Sequence, residues 1–186
     1  MRGTYARARV VVIRGAFART LMWAGAIGLL AGLLEPTMTG RRRGGLIGVG
    51  LFVLAALFGL LLRRRWYARR AREADKAAFA VTLEPPHETR LRMVRMNAWW
   101  LVGGSAATCA LGLVAGSAAG ELVLGYGVGV QAAAMLLARW ERKHDTLLWA
   151  RTEDGRLLGR RSRISDFAFT GPAAGNVRPV VRAARR

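Results

Sequence analysis

The sequence predicts an all-α integral membrane protein with four transmembrane helices, a short cytoplasmic C-terminal hairpin and a disordered end. Hydrophobic residues make up 53% of the 186 residues, and they cluster in four long segments instead of spreading along the chain. Arginine-rich stretches separate these segments. The chain is accordingly divided into a basic N-terminus (1–19), a first transmembrane hairpin (20–62), a basic loop with a helical extension (63–97), a second transmembrane hairpin (98–138) and a basic tail (139–186).

The first apolar segment, residues 20–38, has an uncharged core of only 14 residues, 21–34. That length also suits a signal-peptide core or a buried interfacial helix. A spanning helix results if Arg19 reaches one interface and Glu35, followed by helix-ending Pro36, lies near the other. The charged region before the segment is long and no Ala-x-Ala pattern follows it, which favours a span over a cleavable signal.

The other three segments have the length and composition of membrane spans. Residues 44–62 contain no charge across 19 positions, and a helix of that length measures about 28 Å, close to the hydrocarbon thickness of a bilayer. Residues 98–117 are also uncharged and begin with two tryptophans, which favour the interface. Residues 122–138 are bracketed by Glu121 and Arg139. We therefore expect each segment to cross the membrane.

The distribution of basic residues predicts a plasma (inner) membrane protein with both termini in the cytoplasm. With that orientation, five of the 30 basic residues precede the first span, ten lie between the second and third, and twelve follow the fourth. The opposite orientation would export 27 of them, against the positive-inside tendency. Only Arg41, Arg42 and Arg43 fall in the predicted external loop, and orientation does not explain them.

A short connection joins the third and fourth segments and predicts an antiparallel helical hairpin. Matching depths across its turn places Thr108 beside Gln131 at mid-membrane, where the amide needs a hydrogen-bond partner. Small residues recur every fourth position in both helices, a pattern typical of helix contacts in lipid. The predicted helix-packing residues are Gly104, Thr108, Gly112, Gly116, Gly125, Gly129 and Gln131.

The basic loop is expected to continue the second helix through Ala80, until the proline pair at 85–86 stops it. Basic side chains beside an anionic bilayer contribute on the order of 1 kcal/mol each. We therefore expect an anionic phospholipid surface as partner, with protein docking as the alternative use of this loop. The predicted lipid-facing basic residues are Arg63, Arg64, Arg65, Arg69, Arg70 and Arg72.

The tail contains a predicted β-hairpin in which residues 146–151 pair with 156–158 around Asp154-Gly155. An isolated hairpin is marginal in water, so it would need the membrane, the loop or another subunit to order it. Residues 171–186 have the composition of a disordered end. This need for support predicts a protein partner or a homo-oligomer.

No catalytic, cofactor-binding or metal-binding residue is predicted. The Glu141-x-x-His144 spacing resembles one arm of a di-iron site, but such a site requires the motif twice and further carboxylates. The basic residues behind the net charge of +19 lie beside apolar spans. Membrane orientation and attraction to anionic lipid explain that placement, so nucleic acid is disfavoured as the partner. Only two of the 30 basic residues are lysine, a bias that suggests a GC-rich bacterial source.

The sequence therefore predicts no enzyme activity and no cofactor. The favoured function is a non-catalytic accessory or scaffold protein that binds inner-leaflet lipid and a protein partner. The alternative is an oligomeric channel or small-solute transporter that uses the third and fourth spans. The spans contain no ionisable group at their centre, which disfavours a proton-coupled carrier.

Overall fold

A computed structural model describes residues 7–34, 38–73, 75–76, 85–151 and 167–170. This part of the chain is mostly helical. The four helices are α1 (Val10–Gly32), α2 (Met38–Glu73), α3 (Pro86–Ala115) and α4 (Ala118–His144). Four short strands accompany them: β1 (Arg7–Arg9), β2 (Asp75–Lys76), β3 (Leu147–Arg151) and β4 (Phe167–Thr170).

Helices α2 and α4 pack in parallel through glycines on α4. Gly125 lies against the backbone of Phe52, and Gly129 lies against the backbone of Ala56. Residue numbers rise together along this contact, so the two helices run in the same direction. Close backbone approach of this kind replaces the hydrophobic driving force that helices lack in lipid.

Helices α1 and α4 pack antiparallel, again through small residues. Gly25 lies against Leu124, and Gly120 lies against the backbone of Leu29. Residue numbers fall on α4 as they rise on α1. Helix α4 therefore lies between α1 and α2, with glycine at its contacts with both.

Helix α3 packs in parallel on the opposite side of α1. Gly28 lies against Thr108, and Gly32 lies against Ser117. Helices α3 and α4 contact each other much less than either contacts α1. The lateral order is therefore α2, α4, α1, α3, and consecutive helices alternate in direction along the chain.

The strands form one mixed sheet in the order β1-β3-β4-β2, with β1–β3 and β3–β4 antiparallel and β4–β2 parallel. Strand β1 precedes α1, β2 follows α2, and β3 follows α4. All three helix ends lie at one end of the bundle, which we call the sheet end. Leu148, Ala150 and Phe167 pack there with Tyr67 and Leu137 in one buried cluster.

Three helices are long and apolar enough to cross a membrane: Val10–Gly32, Gly45–Tyr67 and Ala118–His144. Helix α3 is not among them over the described residues, and its first turns carry charged side chains such as Arg90, Arg92 and Arg95. Many large apolar side chains point away from the bundle, a distribution that suits lipid rather than water. Those on α2 include Leu46, Ile47, Val53, Leu54, Leu57, Phe58 and Leu61.

Several element bounds differ from the sequence predictions. Helix α1 begins at Val10, ten residues before the predicted span, so Arg14 and Arg19 lie within it. Helix α2 begins at Met38 and therefore includes Arg41, Arg42 and Arg43, which were predicted to form a loop. Helix α2 ends at Glu73 instead of Ala80. The proline pair, which was predicted to stop a helix, begins α3, because the backbone nitrogen at the first helical position makes no hydrogen bond within the helix.

The sheet was not predicted, and it supplies the support that the tail was expected to require. Strand β3 pairs on one edge with β1 and on the other with β4. The predicted second arm of the hairpin, residues 156–158, and the predicted disordered end, residues 171–186, lie outside the described residues. The partner strands are instead β1, from the N-terminal part of the chain, and β4, from later in the tail, so the hairpin is not confirmed.

Candidate functional site at the sheet end of the bundle

Glu141 joins the sheet to the bundle. The side chain lies in the last turn of α4 and is 1% exposed. One carboxylate oxygen accepts a hydrogen bond from Arg9 Nη2 at 2.8 Å, and the other accepts from the backbone N–H of Leu148 at 3.0 Å. One buried carboxylate therefore holds β1, β3 and α4 together. These contacts give Glu141 a structural role, whereas its spacing from His144 resembled one arm of a di-iron site.

A second group of polar side chains lies between α1, α2 and α4, also toward the sheet end. Arg14 of α1 is 6% exposed, and its guanidinium carbon lies 4.8 Å from the centre of the Trp66 ring. Arg63 of α2 donates from Nη2 to the Tyr126 hydroxyl oxygen of α4 at 3.3 Å. Tyr67, Arg63 and Tyr126 are all close enough to Arg14 to interact with it electrostatically. We call Arg14, Arg63, Tyr67 and Tyr126 the arginine cluster.

The arginine cluster has positive charge without a carboxylate partner among the described residues, where the ion pairs are Arg9–Glu141 and His87–Glu88. Two of its polar atoms, the Tyr67 hydroxyl and Arg63 Nε, are buried without a hydrogen-bond partner in the described structure. Gln131 Oε1, 3.7 Å from the position of a Cβ added to Gly15, is also buried and unpartnered there. Buried donors such as the Tyr67 hydroxyl and Arg63 Nε normally find an acceptor, and a buried amide oxygen normally finds a donor.

Exposed basic side chains surround the same end of the bundle. We call them the basic rim, and they project from three helices. Arg19 of α1 is also exposed, and its Nε donates to the Gly15 carbonyl at 3.2 Å, which turns the side chain toward the sheet end. The members of the basic rim are Arg64, Arg65, Arg90, Arg95, Arg139, Arg142 and Lys143.

Of the six predicted lipid-facing residues, the three with described side chains divide between these two groups. Arg64 and Arg65 are exposed in the basic rim, whereas Arg63 is half-buried in the arginine cluster. Arg69, Arg70 and Arg72 belong to α2, but their side chains lie outside the described part of the structure. The structure therefore separates a cation that faces the protein interior from two neighbours that face outward.

Most of the predicted packing glycines lie at helix contacts. A Cβ at Gly125 or Gly129 would overlap the backbone of α2, and one at Gly112 would lie 2.8 Å from the Gly28 carbonyl oxygen. A Cβ at Gly104 would meet Ala24 at an ordinary 3.6 Å. Gly116 ends α3 with φ 70°, a conformation that favours glycine.

The predicted contact between Thr108 and Gln131 is not formed. Thr108 Oγ1 donates instead toward the Ala24 carbonyl of α1 at 2.9 Å. Gln131 lies near Gly15, closer to the sheet end of α1 than Ala24 is. Helix α1 intervenes between α3 and α4.

The role of Arg14, the most unusual residue of the site, was not predicted from the sequence. Arg14 stands in a basic N-terminal stretch and looked like one of several orienting charges. Its burial depends on α1 starting at Val10, so that Arg14 faces α2 and α4 one turn into the helix. The only local clue was one charged residue within an apolar face of the helix.

Over the described residues, no group of three histidine, cysteine, aspartate or glutamate side chains is arranged to hold a metal ion. Cys109 is a free thiol on α3. Comparison with protein-family models, with curated proteins and with solved structures found no match for this chain.

Proposed function

We propose that this protein is a non-catalytic multi-pass membrane accessory or scaffold protein that binds inner-leaflet lipid and a protein partner at its sheet end. The observation that carries the proposal is the convergence at one end of the bundle of β1, β2 and β3, which flank three different helices. This convergence joins separate parts of the chain into one surface. The basic rim surrounds that surface.

The helix directions support a fourth crossing by α3. Helices α2 and α4 run parallel, as the contacts of Phe52 with Gly125 and of Ala56 with Gly129 indicate. If both cross a membrane in the same direction, the chain between them must cross back. Helix α3 is the segment available, and it runs parallel to α1 beside it.

The basic rim supports a cytoplasmic position for the sheet end and contact with anionic lipid. Its seven members project from α2, α3 and α4 at the same end. Cationic side chains are retained on the cytoplasmic side and are attracted to anionic headgroups there. Arg19 turns toward that end as well.

A purification experiment tests the scaffold role. The tagged full chain is extracted from native membranes in mild detergent, and mass spectrometry and particle-mass determination are applied to the same sample. The triple variant R139Q/R142Q/K143Q removes three rim charges from the end of α4, all on exposed side chains. Leu34→Gln, at an exposed position at the opposite end of α1, is the control.

The proposal predicts a stoichiometric protein partner in the wild type and in L34Q that is lost or reduced at least fivefold in the triple variant. A homo-oligomer free of other proteins, with the same mass in all three samples, would contradict the partner role. That result would make solute flux in reconstituted vesicles the next measurement.

A further inference from the structure

We infer that the arginine cluster is a binding site for one phosphate group, supplied by the headgroup of an anionic phospholipid. The inference deepens the proposed lipid binding and rests on it. The basic rim offers many equivalent surface charges. The arginine cluster differs because it is enclosed by three helices and brings two cations to one place.

The charge of the cluster requires an anion. Arg14 is almost fully buried, and Arg63 is close enough to interact with it unfavourably. Two cations in a medium of low dielectric repel each other strongly unless an anion lies between or beside them. The described residues supply Trp66 and Tyr126 as neutral contacts and no carboxylate.

The unpartnered donors match a tetrahedral oxyanion. Tyr67 is 4% exposed, and its hydroxyl has no hydrogen-bond partner in the described structure, while Arg63 Nε is also unused. Both groups donate, and both lie on α2 one helical turn apart. Phosphate oxygens accept several charge-assisted hydrogen bonds at once, and arginine is well suited to them.

The depth of the cluster matches that of a lipid headgroup. Arg63 is the first charged residue after the uncharged stretch 44–62. Trp66, whose ring lies beside Arg14, is an aromatic residue of the type that concentrates at the membrane interface. A phospholipid in the adjoining leaflet can therefore present its phosphate at this level while its chains remain beside the apolar exterior of α2.

Native mass spectrometry of the full chain in maltoside detergent tests the site. The protein is titrated with phosphatidylglycerol or with zwitterionic phosphatidylcholine, and the number of retained lipids is counted. Tyr67→Phe removes only the buried hydroxyl, and Arg63→Gln removes one cluster charge. Leu34→Gln is the control, because it changes an exposed side chain at the opposite end of α1, outside both the arginine cluster and the basic rim. Thermal melting and circular dichroism establish that each variant is folded.

We expect the wild type to retain one phosphatidylglycerol per chain in preference to phosphatidylcholine. Affinity should fall at least tenfold in both R63Q and Y67F, a loss typical of hydrogen bonds to a charged group. L34Q should remain within about twofold of the wild type. Equal retention by all four proteins would overturn the site.

A parallel thermal-shift measurement with inorganic phosphate distinguishes the source of the phosphate. Stabilisation by phosphate alone that disappears in R63Q and Y67F, without preferential lipid retention, would overturn the lipid assignment in favour of a soluble anion. Preference for phosphatidylglycerol that falls only when rim residues are changed would leave the proposed lipid binding intact and refute the buried site.

Discussion

At the scale of single residues, the two buried charges toward the sheet end, Glu141 and Arg14, have different kinds of partner. Glu141 has a cation and a backbone N–H as partners. Arg14 has an aromatic ring and neutral or cationic neighbours. A buried charge with complete partners fixes a local structure, whereas one without an opposite charge indicates a ligand. The partners of Glu141 therefore explain part of the fold, and the lack of an opposite charge beside Arg14 among the described residues supports the binding proposal.

The Arg9–Glu141 pair yields an asymmetric prediction for stability. Arg9→Gln leaves a fully buried carboxylate without its cation, so we expect a loss of about 3 kcal/mol or more. Glu141→Gln removes the buried charge and keeps an oxygen that can accept from Leu148, so we expect a loss of about 1–2 kcal/mol. Thermal unfolding in detergent, with calibration by denaturant, measures both.

Glu88→Gln is the control for that comparison, because Glu88 is exposed beside His87. It should change the free energy of unfolding by less than about 0.5 kcal/mol. A greater loss of stability in Glu141→Gln than in Arg9→Gln would contradict this prediction, because the buried carboxylate would then not depend on its cation.

At the scale of elements, small residues determine which helices are neighbours. Helix α4 has glycine at its contacts with both α1 and α2, at Gly120, Gly125 and Gly129. Helix α1 has Gly28 and Gly32 at its contact with α3. Each contact lets two backbones approach closely, which is the main source of attraction between helices in lipid. Helices α1 and α4 are central because each has glycine at its contacts with two other helices.

Gly129→Ala and Gly103→Ala make a matched test of these contacts. A Cβ at Gly129 would overlap the Ala56 backbone, so we expect G129A to destabilise the bundle by about 1–3 kcal/mol. No atom lies within 4 Å of a Cβ at Gly103, so G103A should be neutral or stabilising by up to about 1 kcal/mol. Unfolding in mixed micelles measures both variants.

Equal effects of the two substitutions would show that the α2–α4 contact is not closely packed at Gly129. The comparison is well controlled because both changes are glycine to alanine within membrane-length helices. Helix propensity alone predicts the same small gain at both positions. Any difference between them therefore measures the contact.

At the scale of the whole molecule, the termini and the central loop meet in one sheet at the end of an up-and-down bundle. The apolar segments were readable because spanning length and lack of charge are local properties, as in residues 44–62. The mostly helical, membrane-embedded character was therefore predictable. The start of α1 was not, because Arg14 and Arg19 interrupt the hydropathy of a helix that tertiary contacts extend to Val10.

The sheet and the arginine cluster depend on contacts between distant residues, and no local signal reveals them. Asp154-Gly155 suggested a hairpin, yet β3 pairs with β1 and β4. Arg7–Arg9 has no strand signal of its own. Thr108 was expected to face Gln131 because α3 and α4 are adjacent in sequence, but the glycines place α1 between them. Small-residue spacing identified contact faces without identifying their partners.

Cysteine accessibility tests the central claim, that all four helices cross the membrane with the sheet end in the cytoplasm. Single cysteines replace Arg64, Arg90, Lys143 and Leu34, all exposed, in a Cys109→Ala background. A membrane-impermeant maleimide is applied to sealed cells and to inverted vesicles. The first three positions should react only in inverted vesicles and Leu34→Cys only in sealed cells. Reaction of Arg64→Cys and Lys143→Cys from opposite sides would contradict the account, because α2 and α4 would then cross in opposite directions.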